Sequence, residues 1–390
     1  MNILIFSLDN QPQFLGGIKR VSLILGKEWL LKGHHVSFLT YCRSSLKLDE
    51  IDGIKQFFFP DINDINSEIN RQFLKKFLLD EDVEIVLNPH VEDENFTKLS
   101  FVAKSCEKVK LVTALHFSPT HLIDITSRSF FNSYYLGYDI RKWMRDVLMY
   151  FRFKWFKKSE IENDTRQWYN EVIDSSDKFV VLSKEFLSFF DGPEHKITYM
   201  NNPSVHNHEI EQYKKDKSIV WCGRLDVNGQ KQVLTMLRIW KRIEDENNGW
   251  KLYILGNGDV PLINSYISKY KINRVEVAGF CNPFDYYKKA KIVAMTSSTE
   301  GWGMVLVEGQ SCGCVPIAFG SYASIKDIIS NHENGIIVKA FDEYEYARQL
   351  TKLIKDEEDW KRLSENAIES IHRFEAESIA QKWLELFLSI

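Results

Sequence analysis

Several features are missing from this chain of 390 residues, and each absence removes a class of protein. No uncharged apolar run reaches the roughly 18 residues that a membrane-spanning helix needs. The opening stretch MNILIFSLDN has no basic segment ahead of its apolar run and an acid soon after it. It is therefore expected to be a first β-strand and not a secretory leader. A net charge of -4 leaves no general basic surplus and argues against a nucleic-acid partner. No C-x-x-C occurs: Cys42, Cys106, Cys222, Cys281, Cys312 and Cys314 are scattered, mostly within apolar runs, and Cys312-Gly-Cys314 is too tight for zinc. Buried free thiols in a reducing compartment are the expectation. The chain is placed in the cytoplasm, with a peripheral position on the inner face of the cell membrane left open. Short repeats and low-complexity segments are also lacking.

What is present is an alternation of strands and helices, twice over. Strand Asn2–Ser7 is followed by a loop with Gly16-Gly17 and a helix on which Val21, Leu25 and Trp29 share a face. His34–Thr40, Glu84–Asn88 and Lys110–His116 read as further strands. From Ser218 the pattern restarts, with strands Ser218–Gly223, Lys251–Gly256, Arg274–Gly279, Ile292–Thr296 and Val315–Phe319. Helices Lys231–Ile243 and Met304–Gly313 lie among them. This predicts the α/β class, with two Rossmann-like domains, each a parallel sheet covered on both faces. The expected domains are residues 1–203 and 204–374, meeting near Asn202-Pro203. Residues 375–390 are an amphipathic helix, for which a return to the N-terminal domain is one option.

In open parallel sheets, ligands bind beyond the carboxyl ends of the strands. Gly16-Gly17, His116, Gly223-Arg224, Gly256–Gly258 and Glu300 all fall at or just after such ends. Arg224 can fork two hydrogen bonds to phosphate oxygens, and Lys231 adds a mobile charge next to a helix start. Gly256-Asn257-Gly258 lacks the third glycine of a dinucleotide fingerprint, since Pro261 stands in its place, so a tight turn is expected. His116 ends an apolar strand, where a hydrogen-bonded core histidine and a site residue are both in keeping. Asp80-Glu81-Asp82 precedes a strand instead of following one, which makes it a solvated loop and not a metal site. His34, His35, His206 and His208 form no metal-ligand pattern.

Glu300 and Glu308 stand eight apart in SSTEGWGMVLVEGQSCGCVPIAF. Glu300 lies just outside a helix start, where the helix dipole favours an acid. Glu308 lies about a turn inside a helix that reads as apolar all round, and a buried carboxylate needs strong partners. Vicinal ribose hydroxyls are apt ones. The N–H groups of Gly303, Met304 and Val305 suit a phosphate.

The segment Glu300-Gly-Trp-Gly-Met-Val-Leu-Val-Glu308 resembles the E-x7-E motif of retaining glycosyltransferases of family 4, which have the GT-B fold. LGGIKRV, LVTALH, FVVLS, GRL…K, LYILGNG and IKDIISNHENGIIV extend the resemblance along most of the chain. It implies two Rossmann-like domains facing across an interdomain cleft, and a hexosyltransferase-type enzyme. A nucleotide-sugar donor, UDP- or GDP-linked, would be the co-substrate, with no metal and no other cofactor. Arg224 and Lys231 would hold the diphosphate, Glu308 the ribose, and Glu300 the donor sugar beside Gly303, Met304 and Val305. Gly17 would approach the phosphates and His116 the reacting sugar. The gap from Arg224 to Lys231 is a residue or two longer than the common form. The acceptor would be a glycan or lipid-linked saccharide in cell-surface polysaccharide synthesis. Alternatives are another GT-B chemistry, epimerisation or phosphorolysis of a sugar, or a non-catalytic membrane-associated scaffold.

Residues 134–160, YYLGYDIRKWMRDVLMYFRFKWFKKSE, put Ile140, Trp143, Met144, Val147, Leu148, Phe151 and Trp155 on a helical face. Seven Lys or Arg lie between Arg141 and Lys158, against the single acid Asp146. Two readings stand: a helix packed within the fold, or residues 140–158 docking on an anionic membrane.

Overall fold

The structure, a computed structural model, describes residues 1–8, 17–41, 48–124, 140–204, 214–227 and 229–390, except the side chains of Ile140, Lys142, Trp143, Asp146 and Phe156. Gly16, Cys42, residues 134–139, His206 and His208 lie outside the described residues, as does the side chain of Trp143.

Two compact units form. The first comprises Met1–Pro119, Asp164–Val205 and Phe374–Ile390. Its strands are β1 (Asn2–Ser7), β2 (His35–Thr40), β3 (Glu50–Ile51), β4 (Ile54–Phe58), β5 (Ile85–Asn88), β6 (Lys110–Leu115), β7 (Lys178–Val181) and β8 (Ile197–Tyr199). They pair in the order β3-β4-β2-β1-β5-β6-β7-β8, parallel throughout except for the β3–β4 hairpin. The central strands are continuous apolar runs because both faces are covered. On one face Phe6 packs against Phe59 and Phe96, with ring centroids 5.8 and 5.2 Å away. Helix Gly17–Leu31 buries Val21, Leu25 and Trp29. The Trp29 indole N–H donates to the Ala380 carbonyl at 3.1 Å, and its ring lies 5.4 Å from Phe387. The last helix, Ala376–Leu388, thus packs on the first helix of the chain.

The second unit comprises Thr120–Asn163 and His206–Arg373. Residues 120–163 group here and not with the N-terminal unit, which differs from a simple division at residue 203. One physical tie is Asp124, whose carboxylate accepts from the Thr120 hydroxyl at 2.7 Å and from the buried Thr299 hydroxyl at 3.2 Å. The strands are β9 (Asp216–Cys222), β10 (Lys251–Leu255), β11 (Val275–Gly279), β12 (Ala290–Met295), β13 (Val315–Phe319) and β14 (Ile336–Val338). All are parallel, in the order β11-β10-β9-β12-β13-β14. Helix Val233–Ile243 buries Leu234, Leu237 and Trp240 on one face of this sheet. The Trp240 indole is satisfied by the Asn273 carbonyl at 2.9 Å.

Strand order sets where each unit can bind a ligand. In the second sheet successive strands run outward in opposite directions from β9 and β12, so the switch point lies between them. In the first sheet it lies between β1 and β5. Crevices open beyond the carboxyl ends of strands at such points.

Candidate functional site

At the switch point of the second sheet, two loops are stitched together by buried hydrogen bonds. One leaves β9 through Gly223 and the exposed Arg224 and reaches Lys231 and Gln232. Gln232 is left-handed (φ 57°), and the next helix starts only at Val233, so Lys231 stands ahead of it. The other loop leaves β12 at Thr296, which is fully buried. The Thr296 hydroxyl accepts from the Trp221 indole at 3.0 Å and lies 3.1 and 2.9 Å from the carbonyls of Lys231 and Gln232. The Ser298 N–H donates to the Gln230 carbonyl at 2.7 Å. These bonds hold the Lys231 ammonium 2.5 Å from a Glu300 carboxylate oxygen, and Glu300 is only 7% exposed. An ion pair removed from water to this degree satisfies an acid that could not otherwise be buried.

The helix Met304–Ser311 follows directly. Gly303 (φ 121°) turns the chain into it, and the first helical bond runs from the Leu306 N–H to the Gly303 carbonyl at 2.9 Å. The N–H groups of Gly303, Met304 and Val305 lie ahead of that bond, at the positive end of the helix. Glu308, one turn in, is 2% exposed. A Cβ on its neighbour Gly309 would fall 2.5 Å from Val293 Cγ1, which shows how tightly this helix lies on β12. Burial, then the Glu308 charge, pushes the Cys222 thiol up to about 12. Burial, Cys222 and Glu308 likewise raise the Tyr287 hydroxyl. From the loop after β13, Tyr322 backs Glu300: burial and then the Glu300 charge hold its hydroxyl well above the usual phenol range.

The glycine turn after β10 has a different use. Gly256 (φ 143°) runs so close to β9 that a Cβ would fall 1.8 Å from the Gly223 carbonyl oxygen. The backbone ladder continues beyond the strands, from the Leu225 N–H to the Asn257 carbonyl (2.8 Å) and from the Asp259 N–H to the Leu225 carbonyl (2.7 Å). This turn packs backbone on backbone and braces the exit of Arg224.

Arg224, Lys231, Glu300, Gly303, Met304, Val305 and Glu308 thus gather at one edge of one sheet. Gly17 and His116 belong to the first unit. Gly17 is exposed and opens the helix after β1. His116 follows β6 directly and is partly buried; burial and the neighbouring His90 lower its pKa to about 3, so its ring is neutral near pH 7. His90 follows β5 at that sheet's switch point, its N–H bonded to Asn88 Oδ1 at 2.9 Å. Sequence reasoning missed His90, Thr296, Tyr322 and Asp124, although Asn-Pro-His after an apolar strand was a usable signal. Asp80-Glu81-Asp82 closes the helix Glu68–Asp80, with the Asn2 amide donating to the carbonyls of Glu81 and Asp82. Among the described residues no group of three or more His, Cys, Asp or Glu is arranged to hold a metal ion. Nor, among them, is any helix long and apolar enough to cross a membrane.

Residues 206–370 match the family described as glycosyl transferases group 1. Over 223 residues the chain is 27% identical to a GalNAc-alpha-(1->4)-GalNAc-alpha-(1->3)-diNAcBac-PP-undecaprenol alpha-1,4-N-acetyl-D-galactosaminyltransferase of Campylobacter jejuni, covering 56% of this chain and 59% of that one. It is 28% identical over 195 residues to the amylovoran biosynthesis glycosyltransferase AmsD of Erwinia amylovora, covering 47% and 53%. The chain thus spans little more than half the length of these curated relatives. Among solved structures, sucrose-phosphate synthase from Thermosynechococcus elongatus superposes with a TM-score of 0.76 at 14% identity, over 100% of this chain and 99% of that one. The fold is GT-B.

Proposed function

We propose that this chain is a retaining glycosyltransferase of family 4 that transfers a sugar from a UDP- or GDP-sugar to a glycan or lipid-linked acceptor, in building a cell-surface polysaccharide. The observation that carries this reading is the Lys231–Glu300 pair at the switch point, beside a helix start whose next turn buries Glu308. An arriving diphosphate takes over the Lys231 ammonium and meets Arg224 and the N–H groups of Gly303 to Val305. That exchange releases Glu300 toward sugar hydroxyls, while Glu308 accepts from the ribose. Glu308 serves the nucleotide, so the two carboxylates are not an acid and nucleophile pair of the glycosidase kind. The acceptor oxygen attacks the anomeric carbon on the face that the diphosphate leaves. The carbon–phosphate oxygen bond breaks, and the departing oxygen takes the acceptor's proton. Arg224, Lys231 and the helix start neutralise the leaving charge, the task a metal ion performs elsewhere. His116, neutral near pH 7, serves as a hydrogen-bond partner for the sugar and not as a cation.

The test is a panel of nucleotide sugars, with transfer or slow donor hydrolysis read by mass spectrometry and the product anomer by NMR. Turnover with no donor sinks the proposal, as does full activity in Arg224→Ala. Loss of activity on adding a chelator contradicts the metal-free part, and an inverted product contradicts retention.

A further inference from the structure

The helix Ile140–Arg152 continues through a π-helical turn, Phe153–Lys157, into the helix Lys158–Ser175. Met144, Leu148, Phe151 and Trp155 recur at helical spacing, which sets them within an arc of roughly 60° at 3.6 residues per turn. A globular protein ordinarily buries such a stripe. Here Met144 is 62% exposed, Leu148 69%, Phe151 44% and Trp155 70%. Phe153, about half a turn away, is buried, so the helix is held to the protein by its other side. Exposed cations flank the stripe, with Arg141, Arg145 and Arg152 along one side and Lys154 and Lys158 along the other. Just beyond, the sign reverses at Glu160, Glu162 and Asp164.

We propose that residues 144–155 lie flat in the surface of a membrane containing anionic phospholipid. The apolar stripe enters among the upper acyl chains, and the flanking guanidinium and ammonium groups reach the lipid phosphates. The stripe is only about 17 Å long at 1.5 Å per residue and is walled by charge, which suits an in-plane helix and not a span. The acids from Glu160 mark where the helix leaves the surface. A second copy of the chain would set the same cations against one another, and a nucleic acid has no use for the apolar stripe. This inference stands apart from the transferase reading, and its test needs no sugar substrate.

The full chain is floated with vesicles of phosphatidylcholine alone or of phosphatidylcholine with phosphatidylglycerol, at low and high salt. Binding to the anionic vesicles is expected to be at least about tenfold the stronger and to fall with salt. Leu148→Glu with Trp155→Glu lowers it about tenfold or more at an unchanged melting temperature, because both sites are exposed. Arg145→Glu with Arg152→Glu removes the preference for anionic lipid. Leu31→Glu, at a residue 81% exposed on another helix, changes nothing. Equal binding to both vesicle types overturns the proposal, as does no binding or binding indifferent to Leu148 and Trp155. A dimer in solution that Leu148→Glu dissolves, without vesicle binding, assigns the face to a second copy and also overturns it.

Discussion

In the first sheet the strand order reverses between β1 and β5, and in the second between β9 and β12, so both place a crevice at the same topological position. The residues delivered there differ in kind. The first sheet presents Asn88, fully buried and donating to Thr97 and Ser100 hydroxyls at 3.2 Å, then His90, and His116, which follows the adjoining strand and is neutral near pH 7. The second presents Arg224, Lys231, Glu300 and Glu308. Buried charge is sustained in the second because Thr296, Ser298 and Trp221 lock two loops together before the charged side chains extend from them. Winding chooses the place, and a few buried hydroxyls and backbone bonds decide whether that place can carry ions.

The largest test of this contrast is Lys231→Ala. Under the proposed function, transfer should fall on the order of 10²- to 10³-fold. The orphaned Glu300 charge should lower stability by about 2 kcal/mol. Glu300→Gln in the same chain should recover the melting temperature without recovering turnover; recovery of neither would mean that the pair is not the stabilising unit. Glu308→Gln should raise the donor KM on the order of tenfold with a smaller change in kcat, as steady-state kinetics would show. Gly309→Ala, which drives a methyl into Val293, should cost about 1–3 kcal/mol in denaturant unfolding. Thr296→Val should cost about 1 kcal/mol and loosen the Lys231 loop, seen as faster amide exchange around Gln232.

The last test concerns pH and the first sheet. His116 titrates near 6.5 in the unfolded chain and is lowered to about 3 in the folded one. Between those values the unfolded chain binds the extra proton, so this contribution is undiminished above pH 6.5 and stability falls as pH drops toward 3. The urea midpoint measured against pH should show that slope, and His116→Gln should flatten it. An unchanged slope would mean that His116 is as hydrated folded as unfolded.

Much of this was legible in the residues alone, because strand and helix periods are local. The alternation near residues 2–40 and 218–319 predicted two parallel sheets, and strand ends directed attention to Arg224, Glu300 and His116. The strands Ile197–Tyr199 and Ile336–Val338 escaped, since three residues hold too little of a period to read. The helix start at Val233, and not at Lys231, escaped as well, because a left-handed Gln232 has no clear sequence mark.

The sequence by itself determined the class of fold, the edge of the second sheet where charge collects, and the carboxylate pair eight residues apart. Only the tertiary structure decided that Lys231 meets Glu300, 69 residues away, that Thr296 clamps the loop between them, and that the stripe from Met144 to Trp155 faces outward. The parallel register that sets Ala294 beside Trp221 brings the two loops together. Pairing of that kind joins distant segments of chain, and no local pattern of residues encodes which segment a strand will choose as its neighbour.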